Sequence, residues 1–407
     1  MSAHSPVVAY LAPALTALES TFVYDELFAL ERRGIRVVPV SVHSPVRYLT
    51  GHDELLARTH YLYEGGAAST VRRSAAALAG NRKLRFREAF GLLKADLLSV
   101  GLWHGRKLTY QFLVAAQLAD VLIKQGCQHL HIHFAHVPTQ IGMYAAAMAG
   151  IPFTVMAHAN DIFERAFLLP TKAQRSKKFL TISDFNRAYL ERCGLPADKL
   201  AVVRCGVQVL DLESRQAVAR QPRLRIGSLG RLVEKKGIDV LIEAAGVLKQ
   251  RGHELELLIA GDGPLRDELT ALVEQRQLTQ CVTFVGALSH SAVPTWMATL
   301  DAFVLACKPD ANGDMDGIPV VLMEAMAQGL PVVSSRLSGI PELVVDQRTG
   351  LLAEPGDVQG TATQIEKLMA SPEYAGTLAQ QGQAHVRNEF GQAVNIDRLL
   401  SHMNISV

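Results

Sequence analysis

The chain has 407 residues, 49% of them apolar and 20% charged, which suits two α/β domains better than one core. No window supplies the roughly 18 uncharged apolar residues of a spanning helix. Met1–Pro6 lack the basic start of a signal peptide, and five scattered cysteines without a CxxC pair argue against a disulfide framework or structural zinc; the expectation is a soluble chain of a reducing cytoplasm.

In chain order, Val7–Leu11 reads as a buried strand. A loop through Glu19 and Ser20 leads to a helix from about Thr21, with Val23, Leu27 and Leu30 at helical spacing and Gly34 placed to end it. Ile35–Val42 is a second strand, and the stretch from Gly51 to Gly126 reads mainly as helical. His129–Phe134 and Pro152–Ala157 are strands separated by an Ala-rich helix ending at Gly150. The polar segment Gln208–Pro222 serves as a linker. A second series then begins with Arg225–Leu229 and continues through Leu255–Ala260, Val282–Val285, Ala302–Leu305 and Pro331–Ser334, with helices between. Alternation of this kind builds parallel sheets covered on both faces, and ligands bind beyond the carboxyl ends of the strands. With two such domains facing each other, the crevice between them is the default active site.

The net charge is +2, yet residues 1–200 carry 23 Lys/Arg against 15 Asp/Glu and the remainder 18 against 24. Nine cations (Arg72, Arg73, Arg82, Lys83, Arg85, Arg87, Lys94, Arg106 and Lys107) face only Glu88 and Asp96. Leu84, Phe86, Phe90, Leu92, Leu93, Leu97 and Leu98 are interleaved among them. Such a basic amphipathic surface suits anionic lipid headgroups; a solvated helical face is the plainer reading.

The densest segment runs from Asp314 to Ala327. Gly317 frees the backbone, Pro319 fits the first turn of a helix, and Gly329 follows its end, which predicts a helix from about Pro319 to Gln328. Its N-terminus offers amides and a positive dipole end to a phosphate. Glu324 suits ribose hydroxyls and Asp316 a sugar. Glu324 lies in an apolar run and needs a polar partner if buried. Directly after a strand, Gly227-Ser228-Leu229-Gly230-Arg231-Leu232-Val233-Glu234-Lys235-Lys236-Gly237 places Arg231 and Lys236 to reach a diphosphate, with Lys235 assigned to solvent. It is neither a Walker A loop nor a dinucleotide fingerprint.

Together these segments resemble family 4 of the retaining glycosyltransferases, of exopolysaccharide and lipopolysaccharide type, which have the GT-B fold: two Rossmann-like domains facing each other across a cleft. The family hallmark is a pair of acids separated by seven residues, and Asp316 and Glu324 keep that spacing, with Asp where Glu is usual. The resemblance continues through Gly329-Leu330-Pro331-Val332-Val333, Ser338-Gly339-Ile340-Pro341-Glu342 (Gly-Gly being more usual than Ser-Gly), Gly350-Leu351-Leu352 and Pro355-Gly356-Asp357. Ala260-Gly261-Asp262-Gly263-Pro264 and Phe284-Val285-Gly286 sit upstream in the expected order.

The resemblance implies a donor-binding domain over 208–385 and an acceptor-binding domain over 1–207, joined by the C-terminal helix at about 386–407. Arg231 and Lys236, with Gly230, would bind the donor diphosphate, and Glu324 the ribose. Asp316, Gly317, Pro319 and the amides around Ile318, Val320 and Val321 would hold the sugar and its phosphate, with the base near Gly286–Leu288. Phe153 to Asp161 resembles the family's strand end, whose histidine, here His158, faces the donor sugar. Glu19, Ser20 and Thr21 would line the acceptor side, although they also read as a plain capped helix start. His131, His133 and His136 read as core or lining residues, because no carboxylate partner lies nearby in sequence.

The implied chemistry is retention without metal or other cofactor: front-face attack in which the leaving diphosphate accepts the acceptor's proton. Partners would be a nucleotide sugar, a glycan or lipid-linked acceptor and an anionic membrane surface through residues 72–107, not nucleic acid. Localisation would be cytoplasmic, on the inner face of the plasma membrane. A nucleotide-sugar epimerase, a phosphorylase or a non-catalytic sugar-nucleotide-binding subunit of a polysaccharide assembly shares the architecture. A nicotinamide dehydrogenase lacks its fingerprint here.

Overall fold

A computed structural model describes residues 5–15, 21–45, 53–209 and 223–406, and of Thr21 and Asn160 the backbone alone. The short apolar runs become strands of two all-parallel sheets. In the first, β1 (Val7–Ala12), β2 (Arg36–Ser41), β3 (His60–Tyr61), β4 (His129–His133), β5 (Phe153–Ala157), β6 (Lys178–Thr181) and β7 (Leu200–Val202) lie in the order β3-β2-β1-β4-β5-β6-β7. In the second, β8 (Leu224–Leu229), β9 (Leu255–Ala260), β10 (Val282–Gly286), β11 (Ala302–Leu305), β12 (Val332–Ser335) and β13 (Leu351–Ala353) lie in the order β10-β9-β8-β11-β12-β13. Both orders are that of the Rossmann fold, which reverses direction beside its first strand. Strands β3, β6, β7 and β13 carry two to four residues each, too few to show a periodicity, and the sequence reading did not single them out.

The first compact unit comprises Met1–Ile182, Arg187–Val203 and Asn395–Val407; the second comprises Ser183–Asn186 and Arg204–Val394. Most of the expected linker, residues 210–222, lies outside the described residues. In the first unit, Val8, Leu11, Leu130, Ile132 and Val155 are fully buried strand residues. Four helices fill the stretch after β2: Asp53–Arg58, Gly66–Gly80, Phe86–Ser99 and Leu102–Lys124. The Ala-rich helix Val137–Ala149 stops at Gly150, which takes the left-handed conformation at φ 70°. The C-terminal helix is tied to this unit by the Arg33–Asp397 ion pair at 2.9 Å and by Lys177 Nζ donating to the Met403 carbonyl at 2.7 Å.

In the second unit each sheet face has its own core. Ile226, Leu241, Leu257 and Ile365 pack in one, and Phe303, Leu305, Leu322, Met326 and Phe390 in the other. Glu342, from the Ser338-to-Glu342 segment, accepts the amides of Asp184 and Phe185 at 2.9 and 2.8 Å and pairs with Arg204 at 3.1 Å. Ser338, where the family more often has glycine, holds φ 50°, and its buried hydroxyl oxygen has no hydrogen-bond partner among the described residues. An L side chain in that conformation costs about 1–2 kcal/mol. Ser338→Gly should therefore raise the unfolding free energy by about 1 kcal/mol, read as a higher urea midpoint at unchanged slope.

Candidate active site

The sheet order of the second unit reverses between β8 and β11, which pair through Ala302↔Ile226 and Phe303↔Gly227. An open α/β sheet receives its ligand beyond the carboxyl ends of the strands at such a reversal. After β8 the chain runs through Gly230 and Arg231 into a single 3₁₀ turn, Glu234–Lys236, and then into the helix Ile238–Gln250. The junction is Gly237 at φ 61°; a Cβ there would stand 1.8 Å from the Ala306 carbonyl oxygen of the β11 loop. Only glycine lets the loops touch in this way. The contact aims Lys236 at the loop that carries Asp316.

Lys236 Nζ lies 2.6 Å from Asp316 Oδ2, with both side chains largely buried. The lysine stem passes over Gly230, whose absent Cβ would sit 3.5 Å from Lys236 Cδ. Burial disfavours the ammonium, but the Asp316 carboxylate more than offsets it, and the lysine is pushed above its ordinary value. Lys236 is therefore a cation throughout the neutral range. The fully buried Cys307 thiol lies 3.6 Å from the same carboxylate oxygen; burial, and then Asp316, push its titration up, so it stays a neutral donor.

Lys235 corrects the sequence reading. It is not left to solvent: its Nζ lies 2.8 Å from Asp314 Oδ2 and 3.7 Å from Asp316 Oδ1. The Asp314-Met315-Asp316 carboxylates are thus answered by two successive lysines. Arg231 is exposed on the same loop.

Gly317, Ile318 and Pro319 are buried ahead of a helix spanning Val320–Ala327. Pro319 takes an extended conformation, φ −63° and ψ 124°, as N-cap rather than first helical residue, so the helix is shorter at both ends than the sequence predicted. The Val320 and Val321 amides still belong to its first turn, which has no intrahelical acceptors. Glu324, half-buried in the second turn, has His290 Nε2 at 4.0 Å from its Oε1. Sequence reasoning missed His290, because nothing local links a residue after β10 to that helix. Gly286 closes β10 at φ 84° and accepts the Gly261 amide at 2.8 Å.

The remaining predicted residues lie in the first unit. His158 follows β5 and is buried, with the Phe22 and Phe134 ring centroids at 4.9 and 4.7 Å. Burial, reinforced by His133, pushes its titration well down, so it is a neutral imidazole. Asp161 holds the local backbone by accepting the amides of His158, at 2.8 Å, and Ala135. Lys172, fully buried, donates to the Ala135 and Phe167 carbonyls.

His136 is a structural cap: its Nδ1 accepts the Val137 amide at 2.8 Å at the start of the Ala-rich helix. His131 and His133 are buried, in keeping with a core reading, but they are not without a partner. A carboxylate partner exists, but it comes from the helix Thr21–Arg32: Glu26 Oε1 lies 3.4 Å from His131 Nε2 and 3.1 Å from His133 Nε2. Thr21 opens that helix, whereas Glu19 and Ser20 lie outside the described residues.

Comparison with known proteins accounts for nearly the whole chain. Residues 20–209 match the model "Glycosyltransferase Family 4", and residues 211–385 match "Glycosyl transferases group 1". The amylovoran biosynthesis glycosyltransferase AmsK of Erwinia amylovora is 34% identical over 356 residues, 84% of each chain. The chain belongs to glycosyltransferase family 4. It is a glycosyltransferase. The putative colanic acid biosynthesis glycosyltransferase WcaL of Escherichia coli K12 is 35% identical over 266 residues, 64% of each chain. Among solved structures, Anabaena HepE in complex with UDP has a TM-score of 0.73 at 16% identity, over 98% of this chain and 99% of that one. The lipopolysaccharide outer core galactosyltransferase WaaB gives 0.70 at 14%, over 98% and 99%. These likenesses establish the GT-B fold.

Because Gly237 combines left-handed backbone with a backbone clash, Gly237→Ala should cost more than the same change at Gly34, which has φ 80° but open space around it. Expected losses are about 3 kcal/mol or more at 237 and about 1 kcal/mol at 34. Chemical denaturation of both variants checks the order.

Proposed function

We propose that this glycosyltransferase takes a nucleotide-diphosphate sugar and moves the sugar, with retention and without metal assistance, to a glycan or lipid-linked acceptor in cell-surface polysaccharide synthesis. The supporting observation is the Lys236–Asp316 pair at the sheet's switch point, 2.6 Å apart and next to the amides of the following helix. A cation, a carboxylate and a helix start on two converging loops suit a sugar diphosphate. The names of the relatives from Erwinia amylovora and Escherichia coli support the polysaccharide context, and the UDP complex of HepE supports the nucleotide.

In this reading the acceptor hydroxyl attacks the anomeric carbon on the face from which the diphosphate departs. The bond from that carbon to the phosphate oxygen breaks, its electron pair stays on the diphosphate, and the hydroxyl proton passes to that oxygen. Lys236 and Arg231 stabilise the charge gathering there. Asp316 turns from Lys236 to a sugar hydroxyl, the Val320 and Val321 amides hold phosphate oxygens, and Glu324 accepts from the ribose.

Lys236→Ala should lower kcat by about 100- to 1,000-fold with a smaller effect on acceptor KM. Full turnover in steady-state assays would remove Lys236 from the chemistry. A thermal-shift screen across UDP- and GDP-sugars identifies the donor as the one that raises Tm. Incubating that donor without acceptor separates slow hydrolysis from epimerisation.

The same reading places the enzyme on an anionic membrane surface. No helix among the described residues is long and apolar enough to cross a bilayer. At the turn between helices Phe86–Ser99 and Leu102–Lys124, however, Leu98, Leu102 and Trp103 are 85%, 92% and 64% exposed. Lys94, Arg106 and Lys107 are exposed on the same two helices, with Lys107 Nζ 5.0 Å from the Trp103 ring centroid. Asp96, one of only two acids in the basic stretch, is buried against Arg175 at 2.7 Å and Tyr144 at 2.6 Å, which leaves the surface more basic than its sequence. Sedimentation with phosphatidylglycerol vesicles should exceed that with phosphatidylcholine, and Leu98→Glu with Trp103→Glu should abolish it. Equal binding to both lipids would refute the docking.

A further inference from the structure

In the interior of the first unit a second constellation is built from three separate segments. Along β4 the period of two puts His131 and His133 on one face. Neighbouring β1 pairs in register through Tyr10↔His131, and the helix Thr21–Arg32 brings Glu26 over both. The ligand atoms of Glu26, His131 and His133 all lie within 4.8 Å of one another. The two closest separations, from Glu26 Oε1 to the histidine Nε2 atoms, are 3.1 and 3.4 Å. Bonds of about 2.0–2.1 Å to a tetrahedral ion require edges of about 3.3 Å between ligands.

Two further observations point to a ligand. His131 is fully buried, and its Nε2 faces the Glu26 carboxylate at 3.4 Å without a well-formed hydrogen bond to it or to any other described residue, a state that a buried polar atom rarely keeps. The outer nitrogens of both rings are engaged: His131 Nδ1 lies 2.8 Å from Thr154 Oγ1, and His133 Nδ1 lies 3.3 Å from His158 Nε2. Ligating imidazoles are held in this way, the far N–H fixing the tautomer that turns a lone pair towards the ion. Tyr10 Oη can donate to the Val23 carbonyl at 3.0 Å, which leaves its oxygen facing Glu26 and His133 at 2.8 and 2.5 Å.

We propose that Glu26, His131 and His133 bind one divalent transition-metal ion inside the first unit, with the Tyr10 hydroxyl or a water completing its shell. Two imidazoles and a carboxylate select zinc over magnesium or calcium, which take oxygen ligands. The ion fastens the helix Thr21–Arg32 to β4 and, through His133, sets the ring of His158. It takes no part in the proposed departure of the diphosphate, and the site stands whether or not that reading holds.

The test uses tag-free full-length protein, stripped with a chelator and titrated with Co²⁺. The expected result is uptake of one ion per chain, with visible d–d absorption of tetrahedral strength that Zn²⁺ displaces, and a rise in Tm on adding Zn²⁺. Glu26→Gln keeps the shape of a half-buried side chain and should weaken Co²⁺ binding by at least about tenfold; His131→Ala should abolish the band. His104→Ala, at an exposed histidine, should leave it unchanged. If His131→Ala does not fold, Glu26→Gln decides the matter by the same spectrum. Absence of stoichiometric uptake, or uptake that Glu26→Gln leaves intact, would overturn the proposal and leave a hydrogen-bonded Glu26–His133 pair. Because the readout is spectroscopic, a failed search for the sugar donor has no bearing on it.

Discussion

An ammonium and a carboxylate 2.6 Å apart, Lys236 and Asp316, join the two loops on which the second unit's site depends. Eighty residues separate them in sequence, and adjacency of β8 and β11 brings them together. Gly237 makes the approach sterically feasible, because any Cβ would collide with the Ala306 carbonyl. Each charge is partly desolvated and relies on the other, since a buried unpaired ion is strongly disfavoured. In the proposed reaction a donor brings its own anion for Lys236 and hydroxyls for Asp316, so binding exchanges one set of pairings for another. Lys235 and Asp314, one and two residues earlier, repeat the arrangement with a second pair at 2.8 Å.

The first unit buries polar groups on a larger scale, and most are answered. Asp161 accepts two backbone amides, Lys172 donates to two carbonyls, and Asp96 is held by Arg175 and Tyr144. These contacts fix the loops after β4 and β5, and with them His158. Among the few buried atoms left without a well-formed hydrogen bond is the Nε2 of His131, which faces the Glu26 carboxylate at 3.4 Å. Buried polar atoms in a packed interior are satisfied far more often than not, and an atom aimed at a carboxylate and a second imidazole is where an ion belongs.

The basic stretch of the first unit shows one run of sequence doing two jobs. Leu93 and Asp96 face inwards from the helix Phe86–Ser99, whereas Phe90, Leu98 and Lys94 face outwards. The interleaving of apolar and basic residues was plain in the sequence, but not which leucines belong to the core. Leu93 is buried, and Leu84 and Leu92 pack partly against the core; Leu98 and the unremarked Leu102 and Trp103 are the most exposed.

The sequence by itself determined the βα alternation, nearly every long strand to within a residue or two, the helix after Pro319, and the spacing that places Asp316 and Glu324 around its start. Those features follow from periodicity, from proline and glycine chemistry and from short spacings, all of which act within a few residues. Only the tertiary structure decided that Glu26 answers His131 and His133, that Lys235 pairs with Asp314, that Asp96 is a core residue and that His290 stands beside Glu324. Such partners lie tens to more than a hundred residues apart, and which of them meet is set by strand order and helix docking, which no local pattern encodes.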